Sequence, residues 1–213
     1  MIQTSIQTNS DWALVNHKVV KELPLPEHSS HLYEYLFAAN GTFVRGIRPN
    51  LEVLLPVALY QQPLAGLVAI APYIKLTPDK IPADIVMSMW LRSCTAYPNE
   101  ILFHIQHSDG FWQLKIPNQV QTPTSCQPLS NQRNSEFANA VIEAHSHASM
   151  PAFFSITDDS DEGGFRIYTV LGRVNSEPPE ICTRVGLYRH YWNIPSNLIY
   201  FLPSFMLDAC GVR

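Results

Sequence analysis

The sequence predicts an α+β protein, an α/β-type mixed sheet flanked by helices, preceded by a small β-rich N-terminal unit. Three observations predict it. Residues 31–77 hold short apolar runs separated by turn residues, with no long helical period. A helical pattern follows a proline-rich break at LTPDKIPAD. From Glu100 onward, strand-length segments alternate with turn signals and one short helix candidate. The expected organisation is an N-terminal β-rich region over 1–80, of no legible role, and a second domain over 81–213.

Taken in order, residues 1–30 are polar and read as an irregular lead-in. HLYEYLFAANGTFVRGIRP reads as two strands joined at Ala39-Asn40-Gly41, because Asn-Gly accepts the positive φ of a tight hairpin. LEVLLPVALY and LAGLVAIAPYI are further apolar runs, and Arg45 and Arg48 read as solvated strand residues. Asp84 is placed as the N-cap of a helix whose apolar positions are Ile85, Val86, Met87, Met89 and Trp90, ended by Tyr97-Pro98-Asn99. EILFHIQHSDGFWQLKIP reads as a hairpin turning at Ser108-Asp109-Gly110. Residues 117–135 read as a long exposed loop, and SEFANAVIEAHSH as a short helix or turn entering a strand. DDSDEGG reads as an acidic turn, followed by strands in FRIYTVLGRV and EICTRVGLYRHYW.

Composition narrows the function. Of 213 residues, 46% are hydrophobic and 15% charged, as in a globular protein. A net charge of −4 argues against a general nucleic-acid binder, which needs a clustered basic surface. No 18-residue apolar run is present, and the start has neither a basic nor an apolar leader region, so no membrane span and no signal peptide are expected. Four scattered cysteines without a C-x-x-C pair predict reduced thiols in a cytoplasmic protein.

Chemistry concentrates between His145 and Asp158. Histidines at i and i+2 on a strand point to one face, so both imidazoles can reach one ion at a Zn–N distance of roughly 2.0–2.1 Å. Asp158, past a turn, offers a third, oxygen ligand. Three protein ligands leave a position for water, as in a catalytic rather than a structural zinc site. Zinc lowers the pKa of such a water to roughly 7, and a nearby carboxylate can then take its proton. The acidic neighbours Asp159, Asp161 and Glu162 are alternative oxygen donors; Asp159 would face away if Asp158 faces the ion. His17, His28, His31, His104, His107 and His190 have no companion spacing and read as surface or packing residues.

The joint pattern H-S-H-x(7)-S-x-x-D, with a glutamate upstream, resembles the JAMM metalloproteases. These form the MPN or JAB domain family of isopeptidases acting on ubiquitin and ubiquitin-like conjugates. The resemblance covers about 81–213. It implies an MPN/JAB-like fold, one Zn2+ held by His145, His147 and Asp158, and hydrolysis of an amide or isopeptide bond with zinc-bound water as nucleophile. It makes Ser155 the oxyanion stabiliser and Glu100, 45 positions before His145, the general base and acid. Glu52, Glu136 and Glu143 remain alternatives for the base, Glu143 because it shares the strand parity of His145. One departure is that Ala148 stands where many members carry proline, with the proline delayed to Pro151.

AANGTFVRGIRPNLEVLLPVA is similar to the JAB component of the bacterial PRTRC cassette, which also encodes a ThiF/E1-like protein and a small ubiquitin-like protein. That similarity implies a ubiquitin-like or sulfur-carrier protein tail as substrate and a ThiF/E1-like partner. The alternative reading is a non-catalytic MPN-type scaffold or interaction module, against which the complete ligand set counts. A deaminase-type zinc site would use cysteine ligands in a P-C-x-x-C context, which is missing.

Overall fold

The computed structural model describes residues 14–129 and 135–210. The chain divides into two compact units, Met1–Ile74 and Lys75–Arg213.

The first sheet has five strands in the order β1-β2-β3-β4-β5. They are β1 (Val15–Val19), β2 (Tyr33–Ala38), β3 (Gly41–Arg48), β4 (Leu51–Leu59) and β5 (Tyr73–Leu76). β1 lies where an irregular lead-in was expected; its backbone pairs in parallel with β2, a partner that short-range sequence signals do not reveal. The hairpin between β2 and β3 turns at Ala39-Asn40, but neither Asn40 nor Gly41 takes the positive φ expected of Asn-Gly. Arg45 is not solvated: it is 5% exposed, and its Nε donates at 2.6 Å to Oε1 of the fully buried Glu34, whose Oε2 lies 2.9 Å from Lys18 Nζ.

The second unit opens with α1 (Ala83–Ala96). Its N-cap is Pro82 rather than Asp84, which sits in the first turn and accepts from the Ile85 amide at 2.9 Å. A larger sheet follows in the order β13-β12-β11-β10-β6-β7, with β14 beside β12. The ranges are β6 (Leu102–Ser108), β7 (Phe111–Lys115), β10 (Ile142–Ser146), β11 (Phe165–Gly172), β12 (Glu180–Leu187), β13 (His190–Ile194) and β14 (Leu207–Asp208). The β6–β7 turn has positive φ at both Asp109 and Gly110, the conformation that a two-residue hairpin asks for. Residues 119–128, expected as loop, form a separate hairpin of β8 (Gln119–Thr122) and β9 (Ser125–Pro128). Its polar side chains hide the strand signal, because neither face is buried in an apolar core.

The expected fold class is overturned. Among the described residues strands make up 43% and helix 14%, in three sheets and three helices, so the fold is mostly β and not a helix-flanked α/β domain of MPN type. Only α1 is long enough to cover a sheet. α2 (Ser135–Asn139) and α3 (Ile156–Asp161) have five and six residues, too short to form a helical layer. No helix among the described residues is long and apolar enough to cross a membrane.

Register divides the large sheet into two unlike faces. One carries Phe103, Ile105, Ile142, Ala144, Ile167 and Val185, all fully buried. The other carries a polar row across four strands, His104, Glu143, Tyr168 and Arg184, beside the row Leu102, His145, Val170 and Cys182. Cys182 and Cys210 form a disulfide with Cα atoms 4.7 Å apart. This corrects the expectation of four reduced thiols, since β14 returns the C-terminal segment to β12. Cys94 and Cys126 are free.

Candidate functional site

The site is built on the end of β10. Strand alternation puts Glu143 and His145 on the polar face, while Ser146 turns to the opposite side and is fully buried. Its Oγ accepts from the Ile101 amide at 3.1 Å, and its own amide donates to the Ile101 carbonyl at 3.1 Å. The residue between the two histidines thus anchors the segment that carries Glu100. The Glu100 amide in turn donates to the Thr122 carbonyl of β8 at 2.8 Å, which attaches the β8–β9 hairpin to the same spot.

Beyond β10 the chain keeps pairing with the end of β11, His147 N to Leu171 O at 2.7 Å and Val174 N to Ala148 O at 2.9 Å. Ala148 bridges these contacts with φ +45°. Proline is locked near −65°, so this turn excludes the proline that the motif resemblance leads one to expect there. Residues 150–152 cross Gly172 so closely that a Cβ on it would strike the Pro151 and Ala152 backbone. α3 then begins with Ser155 as N-cap. The Ser155 Oγ accepts from the Asp158 amide at 3.2 Å, and the Asp158 Oδ2 accepts from the Ser155 amide at 2.6 Å. The S-x-x-D part of the motif is therefore a capping box, in a segment expected as a turn.

These elements bring the predicted residues together. His145 Nε2 lies 3.0 Å from His147 Nε2 and 3.3 Å from Asp158 Oδ1, and His147 Nε2 lies 3.8 Å from Asp158 Oδ2. One donor atom from each of the three lies within 4.8 Å of the others. Burial lowers His145 to about 4, against the pull of Asp158, and lowers His147 as well. Both imidazoles are thus neutral near pH 7, the form in which a lone pair is available. Two such nitrogens at 3.0 Å face each other across either a shared proton or a cation. Donors on a tetrahedral zinc are separated by roughly 3.3 Å, as bond lengths of about 2.0–2.1 Å require. The observed separations of 3.0–3.8 Å bracket that value, so the residues fit one such ion. The other nitrogen of His147, Nδ1, is buried without a hydrogen-bond partner among the described residues.

A cavity of about 300 Å³ opens on the three residues. Glu100, Ser155, Cys126, Met150 and Phe153 also line it. Glu100 is 4% exposed, and burial first, then the Asp158 charge, push its carboxyl from about 4.5 up to about 7. Among the described residues no cation pairs with it.

The rival glutamates are differently placed. Glu143 lines the cavity but is paired with Arg166 Nη1 at 3.0 Å. Glu52 accepts from the Tyr73 hydroxyl at 2.6 Å in the first unit, and the Glu136 side chain lies outside the described residues. Asp159 and Glu162 are not ligands of the cluster; both bind Arg184, while Asp161 lines the cavity. His104 is buried edge-on to Phe137, and His17 stacks on Tyr35, in keeping with packing roles. Sequence reasoning missed Cys126 and Arg184. Neither sits in a pattern: one is in a polar hairpin, the other in an alternating strand.

No family model and no curated protein matches the chain. Among solved structures, the chain is similar to the solution structure of a protein from Salinibacter ruber. The two share 18% identity over 63% of this chain and 99% of that one, with a TM-score of 0.34. A likeness that faint bears on neither fold nor function.

Proposed function

We propose that the protein is a zinc-dependent hydrolase of amide or isopeptide bonds, with its centre at His145, His147 and Asp158. The observation that carries this reading is the shared cavity. The carboxyl of Glu100, unpaired among the described residues, faces the same space as two imidazoles and a carboxylate at ligand spacing.

Bound zinc supplies Lewis acidity, which polarises a carbonyl and makes water acidic near neutral pH. The chain's own groups do the rest. Glu100 takes a proton from a water in the cavity and returns it to the leaving amine nitrogen, as a general base and then a general acid. Ser155 uses its hydroxyl oxygen as an acceptor in the cap, so its hydrogen is available to donate to the developing oxyanion.

The motif supports a ubiquitin-like or sulfur-carrier protein tail as substrate, and the N-terminal segment supports a ThiF/E1-like partner. Metal analysis of the purified protein tests the reading: one zinc per chain, lost in His145→Ala and His147→Ala. Glu100→Gln keeps the zinc and loses the cleavage of a ubiquitin-like fusion. Hydrolysis that persists in Glu100→Gln, or a wild-type chain that takes up no zinc, overturns it.

A further inference from the structure

Asp158 stands on an unlikely support. α3 has six residues and none of them is buried; Ile156 is 86% exposed. A helix this short does not persist on its own hydrogen bonds. The capping box ties Asp158 to Ser155, but both belong to the same turn, so it cannot fix the turn against the sheet.

What does so is Arg184 of β12, itself 4% exposed. Its Nη1 donates to Asp159 Oδ1 at 2.6 Å, and its Nε donates to Glu162 Oε2 at 2.8 Å. The guanidinium carbon lies over two rings, 4.0 Å from the Phe154 ring centre and 4.1 Å from that of Tyr191. The Tyr191 hydroxyl, on β13, meets the backbone carbonyls of Glu162 at 2.7 Å and Asp159 at 3.1 Å. Phe154 immediately precedes the N-cap, Asp159 is the neighbour of Asp158, and Glu162 is the C-cap. One planar cation therefore reaches the entry, the middle and the exit of the helix, from a strand whose register is set by β11. Lysine has neither the fork for two carboxylates nor the flat faces for two rings.

We propose that Arg184, assisted by Tyr191, is a positioning residue: it holds α3, and Asp158 with it, against the His145–His147 pair. Its consequence for metal binding rests on the zinc reading above. The test uses the full chain with two variants, Arg184→Lys and Tyr191→Phe; the second removes one hydroxyl and keeps the fold safe. Amide hydrogen exchange is measured without metal, then zinc affinity by competition with a chromophoric chelator. Exchange over 156–162 speeds up at least about tenfold in Arg184→Lys, which loses charge-assisted bonds, and about threefold or more in Tyr191→Phe, which loses neutral ones, while β10 stays protected. Zinc binding weakens by a similar factor. Unchanged exchange over 156–162, or zinc affinity within twofold of wild type, overturns the proposal. A wild-type chain that binds no zinc sinks the metal reading instead, and the exchange result then decides the clamp.

Discussion

Replacing Glu100 by glutamine in metal-free protein should change stability in a way that depends strongly on pH. The glutamate has a folded pKa of about 7 against about 4.5 for an ordinary glutamate, raised by burial and by the charge of Asp158. A raised acid pKa means that the folded state holds its proton more tightly than the unfolded one. Glu100 therefore weighs nothing against the fold below about pH 4.5, then costs stability as pH climbs towards 7. At 1.36 kcal/mol per pH unit, the gap amounts to about 3 kcal/mol at pH 8. Glutamine is nearly isosteric with the protonated acid, so Glu100→Gln should match wild type near pH 4.5 and exceed it by about 3 kcal/mol at pH 8. The neutral histidines act with the opposite sign, because a lowered histidine pKa destabilises as pH falls; they are common to both proteins and cancel in the difference. Urea unfolding with chelator present, followed by tryptophan fluorescence, reads the effect. Trp90, Trp112 and Trp192 all belong to the unit that contains Glu100. A difference that stays constant within about 0.5 kcal/mol from pH 4.5 to 8 would refute the placement of Glu100 in a desolvated, anion-facing site.

Three further outcomes follow from the packing. The Cys182–Cys210 disulfide closes a loop of 28 residues, so Cys182→Ser or reduction should cost about 3–4 kcal/mol in urea unfolding; no change would mean that the thiols are not bonded. Gly172→Ala drives a methyl into the Pro151–Ala152 backbone and should cost about 1–3 kcal/mol in a thermal melt, with loss of protection at His147 in hydrogen exchange. Ser155→Ala removes the acceptor of the Asp158 amide and should cost about 1 kcal/mol, while Ser155→Asn should recover most of it; equal melting of all three proteins would dismiss the capping box.

Much of the local structure was legible in the sequence because it depends on neighbours along the chain. Asp109-Gly110 marked a hairpin through its backbone freedom, Asn40-Gly41 marked one without adopting the positive φ expected of it, and the apolar spacing over 85–96 marked α1. The period-two rule sufficed to put His145 and Glu143 on one face of a strand. The 119–128 hairpin and α3 were missed for one shared reason: neither buries an apolar face, so neither has the periodicity that pattern reading detects.

Which groups converge is a different matter, because it depends on contacts between segments far apart in sequence. Tertiary structure alone set the two glutamates apart, by pairing Glu143 with Arg166 and leaving Glu100 without a cation among the described residues. It also decided the mostly β architecture, the Cys182–Cys210 bond and the burial of Arg184 beneath α3. A side chain's chemistry is written in its own residue, but its protonation and its partners are set by what desolvates it. That is decided only when strands distant in sequence fall into register.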